Sequence, residues 1–197
     1  MFIISFKPYA IRRRERGEAL NMQIQETLAR SIITKSNLPD ADYVVNPYVG
    51  CAHSCIYCYA RFMKRFTGHT EPWGKFIDIK TNATDLIPAK SSKYGGKSIF
   101  LASVTDAYQP LERRCRLTRR ILEKLIPLQP NLGILTKSDL VLRDLDLLKQ
   151  FKHCEVGFTI SIFEDNLRKE TEPFASPLQA RTKALEKLRG AGIKTYV

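Results

Sequence analysis

Three cysteines fall close together, spaced Cys-x3-Cys-x2-Cys, in the run Asn46-Pro-Tyr-Val-Gly-Cys51-Ala-His-Ser-Cys55-Ile-Tyr-Cys58-Tyr-Ala-Arg61. Thiolates on one tight loop suit zinc and iron–sulfur clusters alike. Three of them can ligate three irons of a cubane and leave the fourth iron free to bind something else. A structural zinc site needs four closed ligands, commonly as two spaced pairs. His53 and His69 are the candidates for a fourth ligand, yet neither sits beside a second Cys-x2-Cys, and Cys115 and Cys154 stand alone. Five cysteines is an odd number, and the cluster points to metal or redox chemistry rather than to disulfides. An open iron–sulfur site is the favoured reading; a zinc-stabilised nucleic-acid-binding module is the alternative.

Such a loop must be held by its flanking elements, and these alternate along the chain. Val44, Val45 and Tyr48 predict a short strand ending at Gly50, and a helix should follow the cysteines over residues 58–66. Residues 75–80 alternate polar and apolar, as a half-buried strand does, and 82–90 can form a short helix. Residues 98–104 are an apolar run of strand length. Residues 111–125 form a helix with Leu117, Ile121, Leu122 and Leu125 on one face, ended by Pro127. A strand at 132–135 leads to a helix capped by Ser138 or Asp139. After a strand at 155–162, Ser176 caps a further helix with Pro177 at its first position, ending at Gly190 or Gly192. Residues 193–197 make a last strand.

Strand–helix alternation predicts a parallel sheet with crossover helices, its apolar strands buried on both faces. Five parallel strands start near residues 43, 98, 131, 155 and 193, with an accessory strand near 76. A fifth strand so near the end leaves an edge exposed, as in a fragment of a longer chain. Residues 1–40 are basic and polar, with a helical pattern over 20–33, and read as an N-terminal extension.

The 197 residues suffice for one domain with a real core, and 44% hydrophobic with 26% charged residues excludes disorder, collagen and coiled coil as the main state. No apolar run is long enough to span a membrane, and the start lacks the pattern of a signal peptide, so a cytoplasmic protein is expected. Thirty-two Lys and Arg against twenty Asp and Glu leave +12, which favours a polyanionic partner such as nucleic acid, a phosphorylated small molecule or an anionic cofactor. Arg113, Arg116 and Arg120, with Arg114 and Arg119 nearby, share a helical face, and Arg12, Arg13 and Arg14 form a second basic run. Both could follow a phosphate backbone, or the first could be a solvated face beside Glu112 and Glu123. Trp73, in Glu-Pro-Trp-Gly, either covers the cysteine site or anchors a loop.

Cys-x3-Cys-x2-Cys with an aromatic residue before the last cysteine resembles the radical S-adenosylmethionine (SAM) enzymes. NPYVGCAHSCIYCYA, then SVTDAYQPLE, then ILTKSDLVLRDLDLL, in that order from about Tyr43 onward, resembles the branch related to spore photoproduct lyase. The resemblance implies a partial (β/α) barrel of six parallel strands, of which five can be drawn, so that the radical SAM core (41–197) is apparently truncated after the fifth. It implies that Cys51, Cys55 and Cys58 hold a 4Fe–4S cluster whose open iron binds SAM. An electron from a donor such as a flavodoxin or ferredoxin then splits the sulfonium, and the resulting 5′-deoxyadenosyl radical takes hydrogen from a substrate, DNA or RNA being one class. By the same resemblance Tyr57 packs near the adenine, and Ser103, Lys137 and Ser161 reach the methionine and ribose ends. A Lys beside the SAM carboxylate makes a charge-assisted hydrogen bond.

The strand assignment agrees with this placement, since chemistry in such barrels sits at the C-terminal strand ends. Ser103, Thr105 and Asp106 end the second strand, Thr136, Lys137 and Ser138 the third, and Ser161 the fourth. Ser138 and Asp139 fit helix capping better than cofactor contact. In photoproduct lyases a further cysteine near the second strand donates hydrogen. Leu101 stands in that place here, and neither Cys115 nor Cys154 replaces it, so lyase chemistry by that route is not expected.

Overall fold

The computed structural model describes residues 9–12 and 19–197, with side chains from residue 22 onward. Among the described residues, ten strands form two sheets. The larger contains β3 (Ile33–Lys35), β4 (Tyr43–Val45), β7 (Ser98–Leu101), β8 (Asn131–Thr136), β9 (Cys154–Phe158) and β10 (Lys194–Tyr196), in the order β10-β9-β8-β7-β4-β3. β4, β7, β8, β9 and β10 are mutually parallel and adjacent in chain order, and β3 closes one edge antiparallel to β4. This is a mixed α/β fold built on an open, five-stranded parallel run, in keeping with the partial barrel expected.

The crossovers carry the helices. α1 (Glu112–Cys115) and α2 (Leu117–Leu125) join β7 to β8; a 3₁₀ helix at Asp139–Asp144 and α3 (Leu145–Leu148) join β8 to β9; α4 (Asp165–Thr171) and α5 (Leu178–Gly190) join β9 to β10. Leu117, Ile121, Leu122 and Leu125 are all buried, as their spacing predicts. They join one core with the alternate strand residues Ile99, Leu101, Leu132, Ile134, Val156 and Phe158.

The smaller sheet runs β1 (Tyr9–Arg12), β2 (Ala19–Thr27), β6 (Phe76–Lys80), β5 (Tyr48–Val49). The helix expected over 20–33 is therefore wrong. Met22 and Ile24 alternate with Gln23 and Gln25, a period of two, and β2 pairs in parallel with β6 from Gln23↔Phe76 to Thr27↔Lys80. The strand expected from Val44 to Gly50 is two strands in different sheets. The chain crosses between them at Asn46-Pro47, where proline cannot donate to a ladder.

Other boundaries move for local reasons. Residues 82–90 form turns, because the Asn82 amide is engaged by the Ala29 backbone, accepting from its N–H and donating to its carbonyl at 2.9 Å each. The helix over 111–125 breaks at Arg116, which lies at φ 48°. There the buried Glu112 carboxylate takes the Thr118 N–H at 3.1 Å and caps α2 from the preceding turn. β7 stops at Leu101, before Ala102 at φ 69°, and β9 stops at Phe158, short of Ser161. Ser138 caps its helix by accepting from Leu140 N–H, whereas Ser176 makes no cap on α5 and hydrogen-bonds Asp139 instead. No helix among the described residues is long and apolar enough to cross a membrane.

Candidate functional site

The cysteine loop leaves β5 and lies over the C-terminal ends of β7 and β8. Gly50 opens it at φ 86°, where a Cβ would stand 2.3 Å from the Phe76 carbonyl oxygen, so a side chain has no room. Ser54, itself at positive φ, donates through its hydroxyl to the Gly74 carbonyl at 2.8 Å. The beginning of the loop is gripped from beyond β7. Thr105 Oγ1 donates to the Gly50 carbonyl at 2.7 Å, and Gln109 Oε1 accepts from Ala52 N–H at 2.7 Å. After the loop a 3₁₀ helix runs over Tyr59–Phe66, close to the helix expected.

All five cysteines are free thiols. Cys51 is buried; Cys55 and Cys58 are half-buried. Burial pushes the Cys51 thiol well above its ordinary value, with Asp106 adding to the effect. Burial also raises Cys55 to about 12, against the pull of the nearby Lys137 ammonium. Enclosed thiols of this kind become thiolates when a metal centre supplies the compensating charge. Their chemistry thus fits a metal–sulfur cluster.

Tyr57, Lys137 and Ser161 come together beside Cys55. The Lys137 ammonium lies 5.8 Å from the centre of the Tyr57 ring. The Tyr57 hydroxyl donates to Glu172 and is within hydrogen-bonding reach of Ser161. Burial and the Glu172 carboxylate together raise the Tyr57 pKa above its usual value. Ser103 belongs to a neighbouring group. Its hydroxyl accepts from the Asn46 amide at 3.2 Å, and its carbonyl accepts from the Tyr59 hydroxyl.

The sequence placed Asp106 at the end of the second strand but assigned it no specific role. Asp106 is buried and accepts four hydrogen bonds. Oδ1 accepts from Thr136 Oγ1 at 2.7 Å and Tyr108 N–H at 2.8 Å. Oδ2 accepts from Lys137 N–H at 2.8 Å and lies 3.0 Å from His53 Nε2. Burial alone would raise its pKa, but His53 and these donors overcome it and hold the carboxyl at about 2. Gln109, Glu172, Asn46 and Tyr59 were missed. The signals for Asp106 were its strand-end position and its place in the SVTDAYQPLE block, and that block was the one signal for Gln109.

Three expectations need correcting. Neither candidate histidine is available as a fourth zinc ligand: His53 Nδ1 faces the Phe174 carbonyl at 3.2 Å and its Nε2 faces Asp106, while His69 sits between Glu71 at 3.2 Å and Asp78 at 2.7 Å. Arg113, Arg116 and Arg120 do not share a continuous face, since the helix breaks at Arg116. Arg119 is committed to Asp144 and Asp146 at 3.1 and 2.8 Å, and Glu112 is buried rather than solvated. Arg12 lies in β1 by its backbone; its side chain, with Arg13 and Arg14, lies outside the described residues. Trp73 packs edge-on against Phe76 at 5.7 Å, in the manner of a loop anchor. Cys115 ends α1 and Cys154 begins β9. A cavity of about 920 Å³ opens beside Cys154, at the opposite strand ends from the cysteine loop.

The sequence profile of the Radical SAM superfamily matches residues 45–197. The chain belongs to this superfamily. An uncharacterized protein of Methanocaldococcus jannaschii is 47% identical over 175 residues, covering 89% of this chain and 66% of that protein. One from Acidianus two-tailed virus is 33% identical, covering 79% of this chain and 54% of its own length. The radical SAM chain thus spans about half to two thirds of these relatives. Among solved structures, spore photoproduct lyase complexed with dinucleoside spore photoproduct superposes with a TM-score of 0.66 at 20% identity, covering 87% of this chain and 49% of that one. A variant with bound AdoMet and dinucleoside spore photoproduct gives 0.68 at 22% identity, with the same coverage. At that identity the likeness is one of fold.

Proposed function

We propose that this radical SAM chain generates a 5′-deoxyadenosyl radical for hydrogen abstraction, with Cys51, Cys55 and Cys58 as ligands of a 4Fe–4S cluster. The observation that carries it is the set of three free thiols at the C-terminal strand ends, with the Lys137 ammonium near Cys55 and both His53 and His69 engaged by other partners. When bound, the cluster and SAM supply reductive cleavage of the sulfonium and the radical that results.

The chain's own part is placement. Cys51, Cys55 and Cys58 would hold the cluster through three of its irons. Lys137 binds the SAM carboxylate, its ammonium having no carboxylate partner among the described residues, and Ser103 and Ser161 orient the methionine and ribose ends. Tyr57 would lie against the adenine, its ring fixed by Lys137 above it and its hydroxyl by Glu172. The buried Tyr48 and Ala52 on either side of Cys51 exclude water from the back of the loop. The partners we propose are an electron donor of the flavodoxin or ferredoxin type and, from the net charge of +12, a polyanionic substrate such as DNA or RNA. Leu101 at the end of β7 offers no hydrogen donor, which argues against photoproduct lyase chemistry by a cysteine there.

Anaerobic reconstitution tests the reading. It should give a brown protein with about four irons and four sulfides per chain. After reduction it should convert SAM to methionine and 5′-deoxyadenosine, and Cys51→Ala, Cys55→Ala and Cys58→Ala should each abolish this. A colourless protein carrying one zinc would overturn it.

A further inference from the structure

The block SVTDAYQPLE supplies Ser103 to the site proposed above, and its remaining residues have no part in that reading. In the fold they form a clasp. Thr105, Asp106 and Gln109 reach three points of the cysteine loop: the Gly50 carbonyl, the His53 imidazole and the Ala52 N–H. Gln109 is wholly buried and its Nε2 also donates to Thr105 Oγ1 at 3.4 Å. Cys51 sits inside this grip, between Gly50 and Ala52.

Asp106 does more than close the clasp. A carboxylate offers about four lone-pair sites, and four donors fill them here. One bond, from Tyr108 N–H, is the local turn that any Asp after a strand can make. The other three are long-range, from His53 in the cysteine loop and from Thr136 and Lys137 at the end of β8. His53 and the Lys137 backbone meet on the same oxygen, Oδ2. A single buried atom therefore joins the loop of Cys51, Cys55 and Cys58 to the residue that carries the ammonium facing Cys55. An ionised carboxylate is buried at high cost unless every lone pair is met, so the arrangement resists adjustment of any one partner.

We propose that Asp106 is a positioning residue that sets the register between the cysteine loop and Lys137, and hence between the cluster and the SAM carboxylate. The inference rests on the function proposed above. It assigns Asp106 and His53 no contact with the reacting atoms. Their effect passes through the loop on one side and through Lys137 on the other.

Asp106→Asn replaces acceptor sites by a donor, and His53→Leu cuts the loop from Asp106 while leaving the bonds to Thr136 and Lys137. Each variant and the double variant are reconstituted anaerobically. Iron and sulfide content, the SAM dissociation constant, the paramagnetic resonance spectrum of the reduced cluster with and without SAM, and the melting temperature are compared with the unsubstituted chain. Iron content should stay near that of the unsubstituted chain, while SAM affinity falls about 10- to 100-fold, the range for losing an outer partner of a metal-site ligand. The SAM-induced spectral change should weaken in both variants, and the double variant should be no worse than the poorer single one, as for residues acting through one link. Unchanged SAM affinity and spectra in variants carrying a full cluster would overturn the proposal and leave the function standing. So would losses of iron, SAM binding and melting temperature in proportion, which mark a structural role only. An unsubstituted chain that takes up no iron would overturn both. Where Asp106→Asn does not fold, His53→Leu decides alone.

Discussion

Cys51, Cys55 and Cys58 differ in how far the fold encloses them, and the Lys137 ammonium lowers the pKa of the second against its burial. Its Nζ meets no carboxylate among the described residues, and its aliphatic stem is half-buried beside Tyr57. A cation so placed is costly to leave without an anion. Lys137→Met keeps the stem and removes the charge. A hydrogen bond to a charged group contributes about 1.5–3 kcal/mol, so SAM should bind roughly 10- to 100-fold more weakly while the iron content is unchanged. Equilibrium dialysis on the reconstituted chain measures this. Gly50 is the second residue on which the loop depends. Gly50→Ala meets both a positive φ and the Phe76 carbonyl. It should destabilise the chain by about 2 kcal/mol or more, with the first loss at the loop, seen as faster amide exchange at Ala52 and His53 than at core strand residues such as Ile134.

At the scale of elements, the loop is held from behind by a buried charged network. Tyr48, on β5 just ahead of the cysteines, donates its hydroxyl to Glu112 on α1. Arg143 donates to the Glu112 carboxylate at 2.8 Å and to its carbonyl at 2.9 Å, and pairs with Asp144. Glu112 and Asp144 have no exposed side-chain surface. Removing Arg143 takes the paired cation from the buried Glu112 and leaves Asp144 with Arg119, and breaking such a buried pair costs about 3–5 kcal/mol. Arg143→Leu should therefore lower the melting temperature by roughly 10 °C in a chain of this size. Arg119→Leu removes pairs with the exposed Asp146 and Glu123 as well as with Asp144, and Arg143 still holds Asp144, so its effect should be smaller.

For the whole molecule, net charge and buried ion pairs act on different properties. Arg168 and Arg181 are almost fully buried, bonded to Asp165 and Glu172, so part of the basic excess stabilises the interior and is not offered to a partner. Acid sensitivity follows from Asp106. Its folded pKa of about 2 lies below the ordinary 3.8, so its contribution is complete above about pH 4 and is lost as pH falls towards 2. Thermal melts of the metal-free chain should show the melting temperature dropping across that window. Asp106→Asn should start lower and fall less steeply there.

Local patterns decided a good deal. The cysteine spacing marked the superfamily, because a motif carried on one short loop is legible without the fold. Apolar runs such as 132–135 and the 3.6-residue spacing of Leu117, Ile121, Leu122 and Leu125 marked the parallel sheet and its crossover helices, because burial imposes those periods. Pairing across the chain was not legible. Nothing local says that β2 adds to β6, that Asn46-Pro47 passes from one sheet to the other, or that Glu112 breaks its own helix to cap the next. The same holds for Asp106. In sequence it is one more Asp after a strand, and only the fold brings His53, Thr136 and Lys137 to its two oxygens. Hydrogen bonds between residues 30 to 53 positions apart form where the whole core sets the distance, and no neighbouring residue carries that information.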